Sequence, residues 1–265
     1  MSRYSLFDNE TGEIVEEIRG RFISEEQDQA FRKKLAKQNG RCEGFTFMNI
    51  EAVQEIVEQL STEDLGRLLY LQTYIYYDSV LVIGQKHKPM TKREIQQLIG
   101  LERHAFGQFM KRLLFQNILI ENIDGSFSMN ELYHFKGSTS GRQCVKVFCT
   151  RIRELYRSKS LTVADLGIMY RLAPYIHYET NILCTDPSEV DITKAKPLSQ
   201  TEIMIITGLK ERAVRNKLQK MQFNGMRVFV EEQNGRNKHY KLNPLLLYRK
   251  DGSSDQSEIG VFKLS

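Results

Sequence analysis

Residues 60–82 read LSTEDLGRLLYLQTYIYYDSVLV, and residues 161–183 read LTVADLGIMYRLAPYIHYETNIL. The two stretches align without a gap. The identical pairs are Leu60/Leu161, Asp64/Asp165, Leu65/Leu166, Gly66/Gly167, Leu71/Leu172, Tyr74/Tyr175, Ile75/Ile176 and Tyr77/Tyr178. Self-similarity of this kind is the signature of an internally repeated unit. The sequence therefore predicts two copies of one module.

Two further blocks follow in the same order in both copies. Residues 88–101 (KPMTKREIQQLIGL) match residues 196–209 (KPLSQTEIMIITGL), and residues 129–132 match residues 242–245. A small-residue stretch of the flexible-linker type, residues 137–141, lies between the copies. We therefore predict an N-terminal hairpin and helix over 1–44, modules over 45–137 and 138–252, and a flexible tail over 253–265.

Each copy has the pattern helix, helix, tight turn, helix, hairpin. In the second copy Ser199 and Glu202 form a capping box, and Gly208 ends that helix. Ile203, Ile205 and Ile206 are expected on its apolar side. The next helix is expected from Lys210 to about Gln222, with Val214, Leu218 and Met221 facing the core. Thr91 and Glu94 open the equivalent region of the first copy.

Two strand-like runs follow each helix pair. In the second copy 227–231 and 239–242 flank an Asn-Gly turn signal, and in the first copy 119–123 and 126–129 flank Asp124-Gly125. This order is typical of a winged helix-turn-helix. The predicted fold is mainly α with small β wings (α+β), as tandem duplicated winged helix-turn-helix domains.

A recognition helix presents its exposed face to the major groove, where Arg reads guanine and Asn or Gln reads adenine. The second copy offers these candidate DNA-binding residues on its helix and wing: Lys210, Arg212, Arg215, Asn216, Lys217, Lys220, Arg236 and Lys238. The first copy offers Arg103, His104, Gln108 and Lys111, but also Glu102 and an acidic wing tip at Asp124. We expect the second copy to dominate, and single cations such as Lys111 or Lys220 also fit an ordinary solvated face.

Tyrosines recur in the aligned helices, for example Tyr70, Tyr74 and Tyr170. Base stacking is one interpretation, but their helical spacing favours packing in the core or between the copies. The five histidines have no partnered acid or cysteine at a motif spacing, and no phosphate-binding glycine loop is present. We therefore expect no enzyme activity and no cofactor or metal.

Composition is consistent with a globular, mildly basic chain. Apolar residues make up 41% and charged residues 27% of the chain, and the formal net charge is +5, which suits a polyanionic partner without proving one. The sequence predicts no membrane span and no signal peptide. Cys42, Cys144, Cys149 and Cys184 lack metal-site spacing and are expected to be buried thiols in a reducing cytoplasm.

Two short motifs resemble a known family. Residues 8–15 (DNETGEIV) resemble the acidic opening, and residues 242–246 (LNPLL) the close after the wing, of winged-helix replication initiators of small plasmids of Gram-positive bacteria and related phage proteins. Residues 208–221 are also similar to the helix-turn-helix core of regulators of the multiple-antibiotic-resistance type, whereas Phe106, Gly107 and Phe109 depart from it in the first copy.

The resemblance implies a sequence-specific double-stranded DNA-binding protein of a phage, prophage or plasmid. Such a protein acts as a transcriptional regulator or a replication initiator in the cytoplasm of a bacterial host, associated with the nucleoid. The alternative is a winged-helix module that binds a protein, such as a replisome or host factor. The chain itself and a replication or transcription protein are further candidate partners.

Overall fold

The structure is a computed structural model, which describes residues 3–7, 14–19, 44–234, 237–252 and 254–264. It mixes helices with small antiparallel sheets, as the α+β prediction requires. The helices are α1 (Ile50–Val57), α2 (Thr62–Leu71), α3 (Lys92–Ile99), α4 (Arg103–Phe115), α5 (Cys149–Ser158), α6 (Val163–Leu172), α7 (Gln200–Thr207), α8 (Glu211–Lys220) and α9 (Gln256–Gly260). Among the described residues no helix is long and apolar enough to cross a membrane.

Most strands form hairpins. The strands are β1 (Arg3–Phe7), β2 (Ile14–Arg19), β3 (Phe45–Asn49), β4 (Val82–Ile83), β5 (Lys88–Pro89), β6 (Leu119–Glu121), β7 (Phe127–Met129), β8 (His134–Phe135), β9 (Cys144–Phe148), β10 (Gln222–Phe223), β11 (Met226–Arg227), β12 (Phe229–Asn234), β13 (Asn237–Leu242) and β14 (Leu247–Tyr248). The predicted N-terminal hairpin is present as β1 paired with β2, whereas the helix expected after it lies outside the described residues.

One four-stranded sheet joins the two copies, in the order β14-β9-β3-β8. Its central strands, β3 and β9, are equivalent segments of the two copies and pair antiparallel. Phe47 lies opposite Lys146, its own counterpart, and the remaining pairs are symmetric about this point. The outer strands, β8 and β14, are also counterparts. The sheet therefore has a local two-fold axis between Phe47 and Lys146.

Helices α2 and α6 are also equivalent segments of the two copies, and they cross each other in close contact. A Cβ atom added to Gly66 of α2 would lie 1.9 Å from the carbonyl oxygen of Val163, and one added to Gly167 of α6 would lie 1.8 Å from that of Thr62. Such distances are far inside van der Waals contact, so only glycine allows the two backbones to touch here. The glycine pair that is identical in the two copies thus lies at the point where the two helices touch.

A single apolar core runs through both copies. Met48, Val145 and Val147 on the inner face of the sheet belong to the same buried cluster as Leu65 and Leu166 of the crossing helices. Residues 137–141, expected as a flexible linker, instead form a turn between β8 and β9, and Arg142 donates hydrogen bonds to the backbone oxygens of Thr139 and Glu131. The copies are joined within one sheet because the strands on either side of this turn both pair with β3.

Each hairpin is held to its copy by the same hydrogen bonds. The Leu81 amide donates to the Phe127 oxygen, and the Leu183 amide to the Tyr240 oxygen, both at 2.8 Å. The residue after each hairpin also repeats: the Asn130 amide group donates to Asn117, and that of Asn243 to Arg227. The asparagine of the LNPLL motif therefore secures the chain after the hairpin.

The prediction of a flexible tail over 253–265 is wrong for residues 254–264. Phe262 is almost fully buried, the Arg227 amide donates to its carbonyl oxygen at 2.8 Å, and the Leu264 amide donates to Gly225. A large aromatic side chain gains enough from burial to order a short terminal segment.

Candidate nucleic-acid interface

The first helix of each pair begins and ends as predicted, whereas α8 ends at Lys220, before the predicted end near Gln222, because Gln222 belongs to strand β10. Ser199 and Glu202 form a capping box at the start of α7, and Gly208 ends the helix in the left-handed conformation. Thr91, Glu94 and Gly100 do the same for α3. The hydrogen bonds from Ser199 lower the pKa of the Glu202 carboxyl. Each capping box fixes the direction in which its own helix begins.

Helix α7 departs from its predicted packing at one residue. Ile203 is buried and Ile206 is partly buried, but Ile205 is 74% exposed. Ile205 follows Ile203 by two positions, which is about 200° around a helix, so it points away from the core that holds Ile203. Three isoleucines so close in sequence cannot all share one helical face.

Helix α8 separates its apolar and polar residues. Val214 and Leu218 are buried, whereas Arg212, Arg215 and Asn216 are exposed. The spacing of 212, 215 and 216 places these three side chains on one face, opposite the core. Arg215 lies 3.7 Å from Glu211, a pair of half-exposed side chains that is weak enough to yield to a phosphate or a base.

Lys217 belongs to a different face of α8. Its Nζ lies 2.5 Å from Oδ1 of Asp165, which also forms the capping box of α6 with Thr162. Burial alone would raise the pKa of the Asp165 carboxyl, but the hydrogen bonds from Lys217 and Thr162 lower it overall. Lys217 therefore fastens α8 to α6, whereas Lys210 and Lys220 are exposed at the two ends of α8.

The hairpin β12–β13 largely neutralises its own cations. Nζ of Lys238 lies 2.6 Å from Glu231, and Nζ of Lys241 lies 2.9 Å from Glu232. The hydrogen bond from Lys238 is the main cause of the lowered pKa of Glu231. Arg236, predicted to contact DNA from this tip, lies outside the described residues.

The corresponding face of the first copy has a different chemistry. Alignment of the two glycine turns places His104 at the position of Arg212, Gly107 at that of Arg215 and Gln108 at that of Asn216. His104, Gln108 and Lys111 share an exposed face of α4, and Arg103 is exposed at its first turn. Arg112 is held 2.6 Å from Asp64, the counterpart of Asp165. The first copy thus also has an ion pair that holds this helix, but it has no arginine at the three positions aligned with Arg212, Arg215 and Asn216.

Apolar side chains surround the end of α4 and its hairpin. Phe115 is 83% exposed, and Ile120 and Ile123 are also exposed. Asp124 forms the tip and accepts hydrogen bonds from the amide and hydroxyl of Ser126. This surface offers little to attract phosphate.

The tyrosines pack between the copies, as their spacing favours. The ring of Tyr70 stacks on that of Tyr156 with centroids 3.8 Å apart, and the Tyr170 hydroxyl lies 2.9 Å from Nε2 of His134. Tyr70, Tyr74 and Tyr170 are buried, whereas Tyr77 is largely exposed. The buried tyrosines are therefore unavailable for base stacking.

The His, Cys, Asp and Glu side chains of the described residues are the groups that could bind a metal ion or act as nucleophiles. Among them, no three side chains cluster in a way that could hold a metal ion. Cys144, Cys149 and Cys184 are free and buried, as predicted, and burial raises the pKa of each thiol. Cys42 lies outside the described residues.

Comparison with protein-family models, curated proteins and solved structures found no match to this chain.

Proposed function

We propose that the chain is a non-enzymatic, sequence-specific double-stranded DNA-binding protein made of two tandem winged helix-turn-helix domains. The observation that carries this proposal is the repeated arrangement of capped helix, left-handed glycine, second helix and hairpin. In one copy this arrangement presents Arg212, Arg215 and Asn216 together on an exposed face. A helix with such a face fits the major groove.

The two copies take unequal roles in this proposal. The second copy reads bases through Arg212, Arg215 and Asn216, with Lys210 and Lys220 near phosphates. The first copy contributes Arg103, His104, Gln108 and Lys111 as weaker contacts. A phage, prophage or plasmid protein that regulates transcription or marks a replication origin fits this chemistry, in a bacterial cytoplasm.

The second candidate function is a protein-binding module. It is favoured by Phe115, Ile120 and Ile123, which are exposed around the first copy's hairpin where a DNA-binding wing normally carries cations. Exposed apolar side chains gathered in one region are typical of a surface that binds a protein. A replication or transcription protein is the partner class that this reading implies.

Selection of bound fragments from genomic DNA, followed by affinity measurement over a range of salt concentrations, tests the proposal. We expect a small set of enriched sites and an affinity that falls steeply with salt, because each neutralised phosphate releases counterions. Enrichment at one promoter indicates a regulator, whereas enrichment in repeated sites near a replication gene indicates an initiator. Absence of duplex binding at low salt would contradict DNA binding and favour the protein-binding module.

A further inference from the structure

The outer face of the four-stranded sheet carries a cleft that is separate from α8. Side chains alternate along a strand, so Phe47 and Cys144 lie on the face opposite Met48 and Val145 and form a second small cluster with Phe135. Phe47 and Cys144 of this cluster, together with Phe45, form the floor of a cleft of about 1430 Å³. Residues of both copies form its walls, among them 136–139, 142–144, 188–190 and 251–252. Its size is sufficient for a small organic ligand.

Two cations in this cleft are buried. Lys146 and Arg249 are each only 6% exposed. Arg249 donates to the carbonyl oxygens of Ile176 and Pro187 and to the side chains of Gln143 and Ser188, but its Nε has no partner. Nζ of Lys146 donates to the carbonyl oxygens of Lys250 and Gly252. Every partner of these two groups is therefore an uncharged atom.

A third cation, Arg142, is partly buried at the same cleft. Its guanidinium lies 3.7 Å from the centroid of the Phe135 ring, and it too hydrogen-bonds only to backbone oxygens. Within the described residues, none of Arg142, Lys146 and Arg249 forms an ion pair with a carboxylate. Of the acids lining the cleft, Glu179 is paired with Lys250 at 3.0 Å and Glu189 accepts the Asp191 amide. The third, Asp251, offsets part of the effect of burial on Lys146 without forming an ion pair with it, and burial still lowers the pKa of that lysine overall.

Burial without a counter-ion is unfavourable for a cation. Accordingly, burial lowers the pKa of both Arg249 and Lys146. An anion in the cleft would supply the missing negative charge in surroundings where water screens it little. The aromatic floor would at the same time favour a ligand with a flat apolar part.

We propose that this cleft binds a small aromatic anion of the nucleoside phosphate class. A phosphate monoester carries close to two negative charges and three acceptor oxygens, which suits the three cations Arg142, Lys146 and Arg249. The base would lie against the aromatic floor formed by Phe45 and Phe47. Because both copies line the cleft, the ligand would contact the two halves of the molecule at once.

Calorimetric titration of the nucleic-acid-free full chain tests this site. The probes are the four ribonucleoside monophosphates, the matching nucleosides and inorganic phosphate, all at equal ionic strength. We expect at least one monophosphate to bind and its nucleoside and phosphate alone to bind at least tenfold more weakly. Failure of every monophosphate to bind at millimolar concentration would overturn the proposal.

Variants assign the binding to the cleft. Arg142→Gln and Lys146→Gln should each weaken monophosphate binding at least about tenfold, because each removes a charged hydrogen-bond donor. Arg142→Gln is the decisive variant if Lys146→Gln fails to fold. Arg93→Gln, an exposed cation on α3, is the matched control and should leave binding unchanged. Unchanged binding in a folded Arg142→Gln variant, or its loss when Arg212 and Arg215 are both replaced by Ala, would overturn the assignment to this cleft.

Discussion

At the scale of single residues, the cations of the candidate interface are of two kinds. Free cations have no carboxylate partner or only a weak one, and committed cations are held in a close ion pair. Arg212 is exposed and Arg215 has only a weak pair with Glu211, whereas Lys217 and Lys238 lie within 2.6 Å of a carboxylate. A committed cation must break its existing ion pair before it can bind a phosphate. Net charge alone would not separate these groups, but the contacts do.

The first prediction concerns the free group. Replacement of both Arg212 and Arg215 by Ala should weaken binding to the selected duplex by several kcal/mol, since each guanine contact is worth about 1–3 kcal/mol. Fluorescence anisotropy measures the change, and the fold should survive because both side chains are exposed. Lys238→Ala is the control and should cost less, because Glu231 already neutralises that lysine. Unchanged affinity in the folded double variant would contradict a role for the second copy in recognising bases.

The second prediction concerns the buried His134 at the contact between the copies. Burial lowers the pKa of its ring to about 3, whereas an unfolded chain would protonate it near 6.5. Above that pH both states hold the ring neutral. Below that pH the unfolded state binds a proton that the folded state does not bind. The free energy of unfolding therefore falls as the pH drops from 6.5 towards 3.

Each pH unit in that window costs about 1.4 kcal/mol, so the contribution lost between pH 7.5 and pH 5 is about 2 kcal/mol. Denaturant unfolding of the wild type and of His134→Gln at the two pH values measures it. The variant should lose this part of the pH dependence, whereas His104→Gln, on the exposed face of α4, should retain it. An identical pH dependence in His134→Gln and the wild type would contradict the assignment.

At the scale of elements, local signals in the sequence are sufficient for the capped helix starts, the glycine ends of α3 and α7 and the presence of the hairpins, but not for the end of α8 or for the strand bounds of the second hairpin, which are 229–234 and 237–242. Ser199 with Glu202, Thr91 with Glu94, and the glycines after α3 and α7 act through neighbours three to five residues away, so their structure was predictable. The pairing of β3 with β9 was not. Residues 45–57 and 144–156 share only Glu55/Glu154 as an identity, and strand pairing depends on apolar faces that come together only in the folded chain.

Contacts between residues that are distant in sequence are also the features of the candidate interface that local patterns do not predict. The exposed face of α8 followed from helical spacing, but the partner of Lys217 lies 52 residues away and is not visible in a local pattern. The sequence shows Gly66 and Gly167 only as identical residues, because a close backbone approach cannot be inferred from one helix alone. The residue type of Ile205 predicts burial, but its position on the helix, opposite Ile203, leaves it exposed.

The third prediction concerns the unequal helices α4 and α8. Replacement of Arg103 and Lys111 by Ala should cost less affinity for duplex DNA than the Arg212 and Arg215 pair. Gly107 stands where the second copy has Arg215, and Glu102 and Asp124 oppose phosphate. Parallel anisotropy titrations at one salt concentration compare the pairs. A larger loss from the first-copy pair would reverse the ranking.

The fourth prediction concerns the crossing of α2 and α6. Gly66→Ala or Gly167→Ala should destabilise the protein by about 1–3 kcal/mol or more, because the new methyl group would overlap a carbonyl oxygen of the other helix. Gly107→Ala is the matched control on α4, where an added Cβ meets nothing within 4 Å. That change should stabilise the helix by up to about 1 kcal/mol. Thermal or denaturant unfolding that ranks all three variants alike would contradict the close contact.

At the scale of the whole molecule, the shared sheet and the crossing helices make the two copies one unit related by an approximate two-fold axis. If both copies bind DNA, one chain meets two half-sites, about 10 base pairs apart when the helices enter successive major grooves. The fifth prediction is that the bound site is not a palindrome, because α4 and α8 differ at the exposed positions.

Footprinting of a complex whose stoichiometry is measured by analytical ultracentrifugation tests this geometry. We expect one chain per site and two half-sites of different sequence. A strictly palindromic footprint with two chains bound would contradict it and indicate that one copy serves as a dimer interface.

The contact between Gly66 and Gly167 affects how the occupancy of a binding site depends on protein concentration. A regulator built from two separate subunits loses its paired form on dilution, so occupancy of its site falls more steeply than its concentration. Here both halves are parts of one polypeptide, and the close helix crossing holds them at a fixed separation regardless of how many molecules a cell contains. If the chain binds DNA as proposed, the occupancy of its site follows a simple hyperbola down to a few molecules per cell.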